Sequence, residues 1–352
     1  MSKLLNQTIK SIKPLDAEAM SSARQRQDTL TKPRNSLGRL EELSIQIAGI
    51  QRKGIPQIDK KAIIIMAADH GVVAEGVTLY PQDVTRQMVL NFLNKGAAIN
   101  VLATHIGARV IVVDMGVIGG FSQSHGLICK MIDFGTRNMT LGPAMTHNQA
   151  TNSIEAGIEV LQNELRTGLD IVGTGDMGIG NTTASSAIFA AISGYPLSMV
   201  TGRGTGIEDE QLTHKIKVIE KALAVNKPDA DDPLDVLAKL GGFEIGGLTG
   251  LILGAASNGI PVVVDGFISG TSALIATRLC PEVKAYLIAA HQSAENGHKY
   301  LLKYMGLSPL LNLDMRLGEG TGAALAIHLA EASVKIIRDM KTFTEAGVSD
   351  IT

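Results

Sequence analysis

The segment Arg316-Leu317-Gly318-Glu319-Gly320-Thr321-Gly322 sets one carboxylate between glycines at the mouth of a long Ala/Leu-rich run. Glycines on both sides let backbone and ligand approach closely, and a helix start is where anions and catalytic groups meet. Glu319 therefore reads as a placed base. A plainer reading exists: an acidic residue that complements the helix dipole, worth a few tenths to about 1 kcal/mol. Taken alone, the heptapeptide favours the plainer one, and the rest of the chain must decide.

Two further segments have the chemistry of anion binding. Gly173-Thr174-Gly175-Asp176-Met177-Gly178-Ile179-Gly180-Asn181-Thr182-Thr183 reads as a glycine turn that follows a strand and opens a helix, where freed backbone N–H groups wrap an anion. Its GxGxxG start is a weak dinucleotide signal. The acidic residue that such a site needs about 20 positions on is missing, because Ser198-Met199-Val200-Thr201 stands there. No Gly-Lys-Ser/Thr occurs either. The second turn, Thr201-Gly202-Arg203-Gly204-Thr205-Gly206, runs into a helix start with Lys215 beyond it. Arg203 offers a forked donor pair to a phosphate and Lys215 a point charge, although a surface Arg and a surface Lys fit the same pattern. The two turns together support a phosphate site better than either alone.

Asp69-His70, after a buried strand, reads more readily as a turn-capping acid and a satisfied histidine than as an acid–base or metal pair. With no HExxH and no clustered His/Cys spacing, no metal is expected. Asp265-Gly266 follows Val262-Val263-Val264 without the adjacent second acid that would hold a metal and a diphosphate, which argues against a pyrophosphate-leaving donor.

The elements that must position these residues follow from periodicity. Ala62 to Ala68 is a continuous apolar run typical of a strand buried on both faces; Arg109–Asp114, Leu169–Gly173, Pro261–Asp265 and Val283–Ala289 read as further strands. Asp83–Asn94, Asn148–Arg166, Asn181–Ile192, Asp209–Ala224, Glu244–Asn258 and Ser269–Arg278 read as helices. Strand and helix in alternation imply a mostly parallel sheet with helices on both faces and a ligand site beyond the strands' carboxyl ends. Residues 15 to 52 carry two helical patterns split at Pro33, the second with Ser36 as its expected N-cap. Residues 318 to 340 read as one long helix. The charged segment Asn226 to Asp235 reads as a solvated loop.

Composition narrows the classes. The 352 residues are 45% hydrophobic, enough for a large core; with no Trp and 3% aromatics they offer few stacking platforms for single-stranded nucleic acid, and a net charge of -2 gives no global attraction to nucleic acid or anionic membrane. Cys129 and Cys280 lie far apart without a CxxC spacing, so neither a disulfide framework nor a zinc site is expected. The start lacks the apolar core of a signal peptide, and Ile245–Val264 is too interrupted by Gly, Asn258 and Pro261 to span a bilayer comfortably. The expected location is the cytoplasm.

The segments Lys32–Leu40, Ala68-Asp69-His70-Gly71-Val72, Val84-Thr85-Arg86-Gln87-Met88, Gly178–Thr183, Gly202–Gly206 and Leu317–Gly322 together resemble the nicotinate-nucleotide–dimethylbenzimidazole phosphoribosyltransferase family over nearly the whole chain. The resemblance implies a doubly wound, mostly parallel α/β sheet domain (Rossmann-like, residues 59–304) and a small helical domain built from residues 1–58 and 305–352. It implies transfer of 5-phosphoribose from nicotinate mononucleotide to 5,6-dimethylbenzimidazole, giving α-ribazole 5′-phosphate in assembly of the cobalamin nucleotide loop, with no cofactor or metal. It casts Glu319 as general base and Asp176 as a second catalytic residue. Gln87, Met177 and Leu317 would line the base pocket. Gly178, Gly202, Arg203, Gly204 and Lys215 would surround the phosphate, and Asp265, Gly266 and Ser293 the ribose or the nicotinate carboxylate. Asp176 departs from the family's Glu. A homodimer is implied, with Lys32–Leu40 beside the partner's site. Other readings stay open: transfer to a phenol, adenine or another benzimidazole, a non-catalytic nucleotide sensor, or a dinucleotide oxidoreductase.

Overall fold

The computed structural model describes residues 2–121, 125–204 and 206–349. Strands β1 (Lys61–Ala68), β2 (Arg109–Gly116), β3 (Leu127–Cys129), β4 (Ile171–Met177), β5 (Val262–Val264) and β6 (Leu287–Ala289) form one sheet in the order β3-β2-β1-β4-β5-β6. Every pairing is parallel. All eight residues of β1 are buried, and the pleat divides them: Ala62, Ile64, Met66 and Ala68 enter one core, Ile63, Ile65 and Ala67 the other. This two-sided burial is why β1 reads as an unbroken apolar run.

The helices are α1 (Lys3–Ser11), α2 (Ala17–Thr29), α3 (Arg39–Gln51), α4 (Asp83–Leu93), α5 (Ala98–His105), α6 (His147–Leu165), α7 (Asn181–Ser193), α8 (Leu197–Val200), α9 (Asp209–Asn226), α10 (Pro233–Leu240), α11 (Phe243–Ser257), α12 (Phe267–Leu279), α13 (Asn296–Met305), α14 (Thr321–Asp339) and α15 (Phe343–Ala346). Residues of α6, α11 and α12 share a core with the even-numbered side of β1, and residues of α3, α4, α5 and α14 share one with the odd side. Leu5 of α1 falls with the α6–α11 face, opposite α3. The C-terminal end of α14 is tied to α2 by Arg26, whose Nε donates to the Ile337 carbonyl at 2.6 Å. Among the described residues no helix is long and apolar enough to cross a membrane.

Because β1 is followed by β2 on one side and paired with β4 on the other, the order in which strands are added reverses between β1 and β4. A parallel sheet of this order opens a crevice at that point, outside the carboxyl ends.

The structure corrects several expected elements. β4 runs on to Met177, so Gly173 and Gly175 lie inside the sheet rather than in a loop after it. A Cβ added at Gly173 would lie 2.5 Å from Ile63 Cδ1 and 3.0 Å from Ala323 Cβ, and one at Gly175 2.7 Å from the Glu319 carbonyl oxygen; these glycines make room for the start of α14. Only Leu287–Ala289 of the expected last strand is extended, because Pro281–Tyr286 turns as a 3-10 helix. β3, α1, α5, α10 and α13 were not anticipated. Ser36 caps nothing: α3 starts after Gly38, and Glu41 Oε1 accepts the Leu37 N–H at 3.0 Å. The charged segment is ordered, with Asp232 capping α10 and Asn226 buried against the Met139 carbonyl at 2.6 Å.

Candidate active site

A cavity of about 510 Å³ opens at the carboxyl ends of β4, β5 and β6, within the usual size of small-molecule sites. Its walls include Asp176, Met177 and Gly178 after β4, Gly266 after β5, His291 and Ser293 after β6, and Arg316, Leu317 and Gly318 before α14. A hollow of about 540 Å³ between α3 and β6 has no glycine turn facing buried acids, which makes the first cavity the candidate site.

Gly318, Glu319 and Gly320 take φ values of 81°, 62° and 87°, three left-handed residues in succession. Glycine adopts this freely, but a glutamate there costs roughly 1–2 kcal/mol, a strain that clusters at functional sites. Neither glycine can be replaced cheaply: a Cβ at Gly318 would lie 3.2 Å from Asp176 Oδ2, and one at Gly320 2.5 Å from Ile63 Cγ2. Glu319 is 5% exposed and its Oε2 has no hydrogen-bond partner. Burial pushes its carboxyl up to about 7, which is where a general base at neutral pH should sit. Leu317, exposed at the mouth, and Gly318 line the cavity, whereas the buried Glu319 side chain is not part of its wall.

Asp176 is buried beside it. Desolvation first, then the charges of Asp265 and Glu244, raise its carboxyl well above the usual carboxylate range. Asn181 Nδ2 donates to its Oδ2 at 3.2 Å and Ser269 Oγ to its Oδ1 at 3.4 Å. A protonated Asp176 is a hydrogen-bond donor, so two neighbouring acids have distinct capacities.

Asp265 is not part of the cavity wall. Its Oδ1 accepts the Ala323 N–H at 2.9 Å and its Oδ2 the Gly320 N–H at 3.2 Å, so it caps α14 from the end of β5, underneath the Glu319 turn. Burial raises its carboxyl to about 7, against the pull of those backbone donors. Gly266 and Ser293 do line the cavity; Ser293 Oγ accepts the Glu295 N–H at 3.2 Å.

At the other end, Lys215 of α9 is buried and donates to Thr182 Oγ1 at 2.8 Å. Desolvation lowers its ammonium to about 8. Gly178 and Gly204 share this wall, and Gly202 abuts Glu295. Two further expected residues do not line the cavity. The Arg203 guanidinium turns out of the cavity to the Ile207 carbonyl at 2.8 Å and to Asp209. Gln87 is exposed on α4, apart from the cavity wall. Thr205 of the second glycine turn lies outside the described residues. Lys32 is buried against Glu41 at 2.7 Å.

Asp69 Oδ2 accepts the Ile118 N–H at 2.8 Å, and His70 is buried against Glu244 at 2.6 Å, so both are structural. Among the described residues no group of three or more His, Cys, Asp or Glu could hold a metal ion. Sequence reasoning gave no role to Glu295, His291 or Arg316, all of which line the cavity. Glu295 precedes a helix and looks like a surface cap; the available signal was Ser293-Ala294-Glu295 directly after a strand end.

A phosphoribosyltransferase family model matches residues 12–348. Nicotinate-nucleotide–dimethylbenzimidazole phosphoribosyltransferases from Roseiflexus sp. (strain RS-1) and Geobacter metallireducens are 57% and 56% identical to this chain, each over 98% of both sequences. A crystal structure of the enzyme of that name from Thermus thermophilus superposes with a TM-score of 0.90 at 44% identity, covering 96% of this chain and all of that one. A full-length family match, relatives this close and a glycine-bracketed buried carboxylate at the strand ends lead to one conclusion: the chain belongs to the nicotinate-nucleotide–dimethylbenzimidazole phosphoribosyltransferase family and is a pentosyl-transferring enzyme.

Proposed function

We propose that the cavity binds nicotinate mononucleotide and 5,6-dimethylbenzimidazole and exchanges the base on the ribose. One ring nitrogen of the benzimidazole bonds to the anomeric carbon as the bond to the nicotinate nitrogen breaks. That electron pair neutralises the pyridinium, so nicotinate leaves without metal assistance. The second ring nitrogen's proton becomes acidic and passes to Glu319, and the product is α-ribazole 5′-phosphate. The observation that carries this reading is the buried Glu319 carboxylate with one unpartnered oxygen, in a chain of this family. To accept the proton, the Glu319 carboxylate must reach the cavity, and the glycines on both sides of it give the turn the freedom to bring it there. Met177 and Leu317 present the apolar faces a planar base needs, and Asp176, kept protonated, can donate to the donor's ribose or carboxylate.

Nicotinate release from nicotinate mononucleotide, measured with and without 5,6-dimethylbenzimidazole, tests the reaction. Release that depends on the benzimidazole is expected; equal release in both would make the enzyme a hydrolase and remove the proposal. For the phosphate end, Lys215→Ala should raise the KM for the mononucleotide about 10- to 100-fold, the scale of one buried charge-assisted bond, and leave kcat less affected. Arg203→Ala should do less, since its guanidinium is held by Asp209. A homodimer, a cytoplasmic location, and separate sheet (59–304) and helical (1–58 with 305–352) domains belong to the same proposal; sedimentation of the purified chain tests the dimer.

A further inference from the structure

The phosphate end of the cavity already faces an anion from the chain itself. Glu295 stands at the N-cap of α13, where an acid commonly bonds its own helix's N–H groups, yet it makes no such bond. Its side chain reaches instead into the second glycine turn. The Gly204 backbone N–H faces it and eases the cost of its burial, and a Cβ at Gly202 would run into its Oε2. The residue is 6% exposed, and Oε2 has no hydrogen-bond partner. Two cations face it, Lys215 from α9 and Arg316 from the segment before α14. Both are hydrogen-bonded elsewhere: Lys215 to Thr182 Oγ1 at 2.8 Å, and Arg316 to the Gly204 carbonyl at 3.1 Å. The carboxylate thus lies where backbone donors, a helix start and two cations converge, which is the environment of a bound phosphate.

We propose that Glu295 is an internal stand-in for the donor's phosphate: its carboxylate occupies the nest at Gly202 and Gly204 until an arriving phosphate displaces it. This rests on the reading of the cavity as the mononucleotide site. The stand-in compensates the buried Lys215 until the donor arrives. It also weakens binding of any anion that has no other contacts, since apparent affinity falls with the fraction of chains whose nest is free. Free phosphate is discriminated against, whereas a mononucleotide gains ribose and base contacts that offset the displacement.

Inorganic phosphate binding to the full-length protein at pH 8, measured by calorimetry, tests this. Glu295→Gln and Glu295→Ala should each bind phosphate about tenfold more tightly than wild type, as expected if the nest is free about a tenth of the time, and Lys215→Ala at least about tenfold more weakly. If Lys215→Ala weakens binding while both Glu295 variants match wild type or bind less, the stand-in is wrong and the mononucleotide site stands. If Lys215→Ala is also unchanged, the phosphate site itself is wrong. Should the Glu295 variants fail to fold, crystals of the wild type soaked in phosphate decide. Phosphate on the Gly204 N–H with Glu295 rotated away supports the proposal; phosphate beside an unmoved Glu295, or none in the nest, overturns it.

Discussion

Glu319→Gln is expected to bind nicotinate mononucleotide as the wild type does while its turnover falls about 10²- to 10⁴-fold, the range for loss of a positioned general base. The amide keeps the shape of the side chain and cannot take the benzimidazole proton. With the carboxyl pushed up to about 7, wild-type kcat/KM should rise as pH passes through that value, because only the ionised form accepts the proton, and fall again above about 8 as Lys215 loses its charge. The variant's residual rate should lack the rising limb. Stability moves the other way. A carboxyl whose folded value lies above its unfolded one of 4.5 favours the folded state below about pH 4.5, and that contribution is lost as pH rises to about 7. Glu319→Gln removes this liability, so it should be more stable than wild type at pH 8, by roughly 1–3 kcal/mol, with the gap closing toward pH 5. Denaturant melts at the two pH values check this; a variant less stable than wild type at pH 8 would mean that Glu319 is paired in the folded protein.

The features legible in the sequence are those whose cause is local. β1 declares itself because both faces of its eight residues are buried, and the Glu319 turn because three left-handed residues in a row call for glycines around the one side chain that must be there. α10 was hidden by a run of charges, although Asp232 and Pro233 are an N-cap and first-turn pair. The outward turn of Arg203 had a local signal too, since Asp209 lies six residues on and competes with any ligand for the guanidinium. What could not be read are meetings between distant segments. Asp265 finds its partners 55 and 58 positions away, and Gly175 is bare because the Glu319 backbone crosses it. Glu295 reaches back across the sheet ends to Gly202. Spacing rules describe one element at a time, and these contacts exist only once the order of the parallel strands has brought β4, β5 and β6 side by side.

Asp265 makes that dependence testable. Its two carboxylate oxygens hold two backbone N–H groups at the start of α14, one at Gly320 directly after the base. Asp265→Ala leaves both donors buried and unpaired, at a cost of about 1–3 kcal/mol each, and frees the strained Glu319 backbone to relax. A base displaced by about 1 Å can cost 10²-fold in rate, so the fall in stability should come with a kcat loss of about that size. Asp265→Asn should not rescue it, although it is the conservative change by shape. Its oxygen can hold only one of the two donors, and its NH₂ then points at the other N–H, donor against donor. Both variants should leave the KM for the mononucleotide within a few-fold of wild type, because the carboxylate faces α14 and not the cavity. A ribose contact, the role that family resemblance suggested, would give the opposite pattern, a raised KM with kcat nearly intact. The split between the two constants therefore decides whether Asp265 touches the substrate or holds the residue that does.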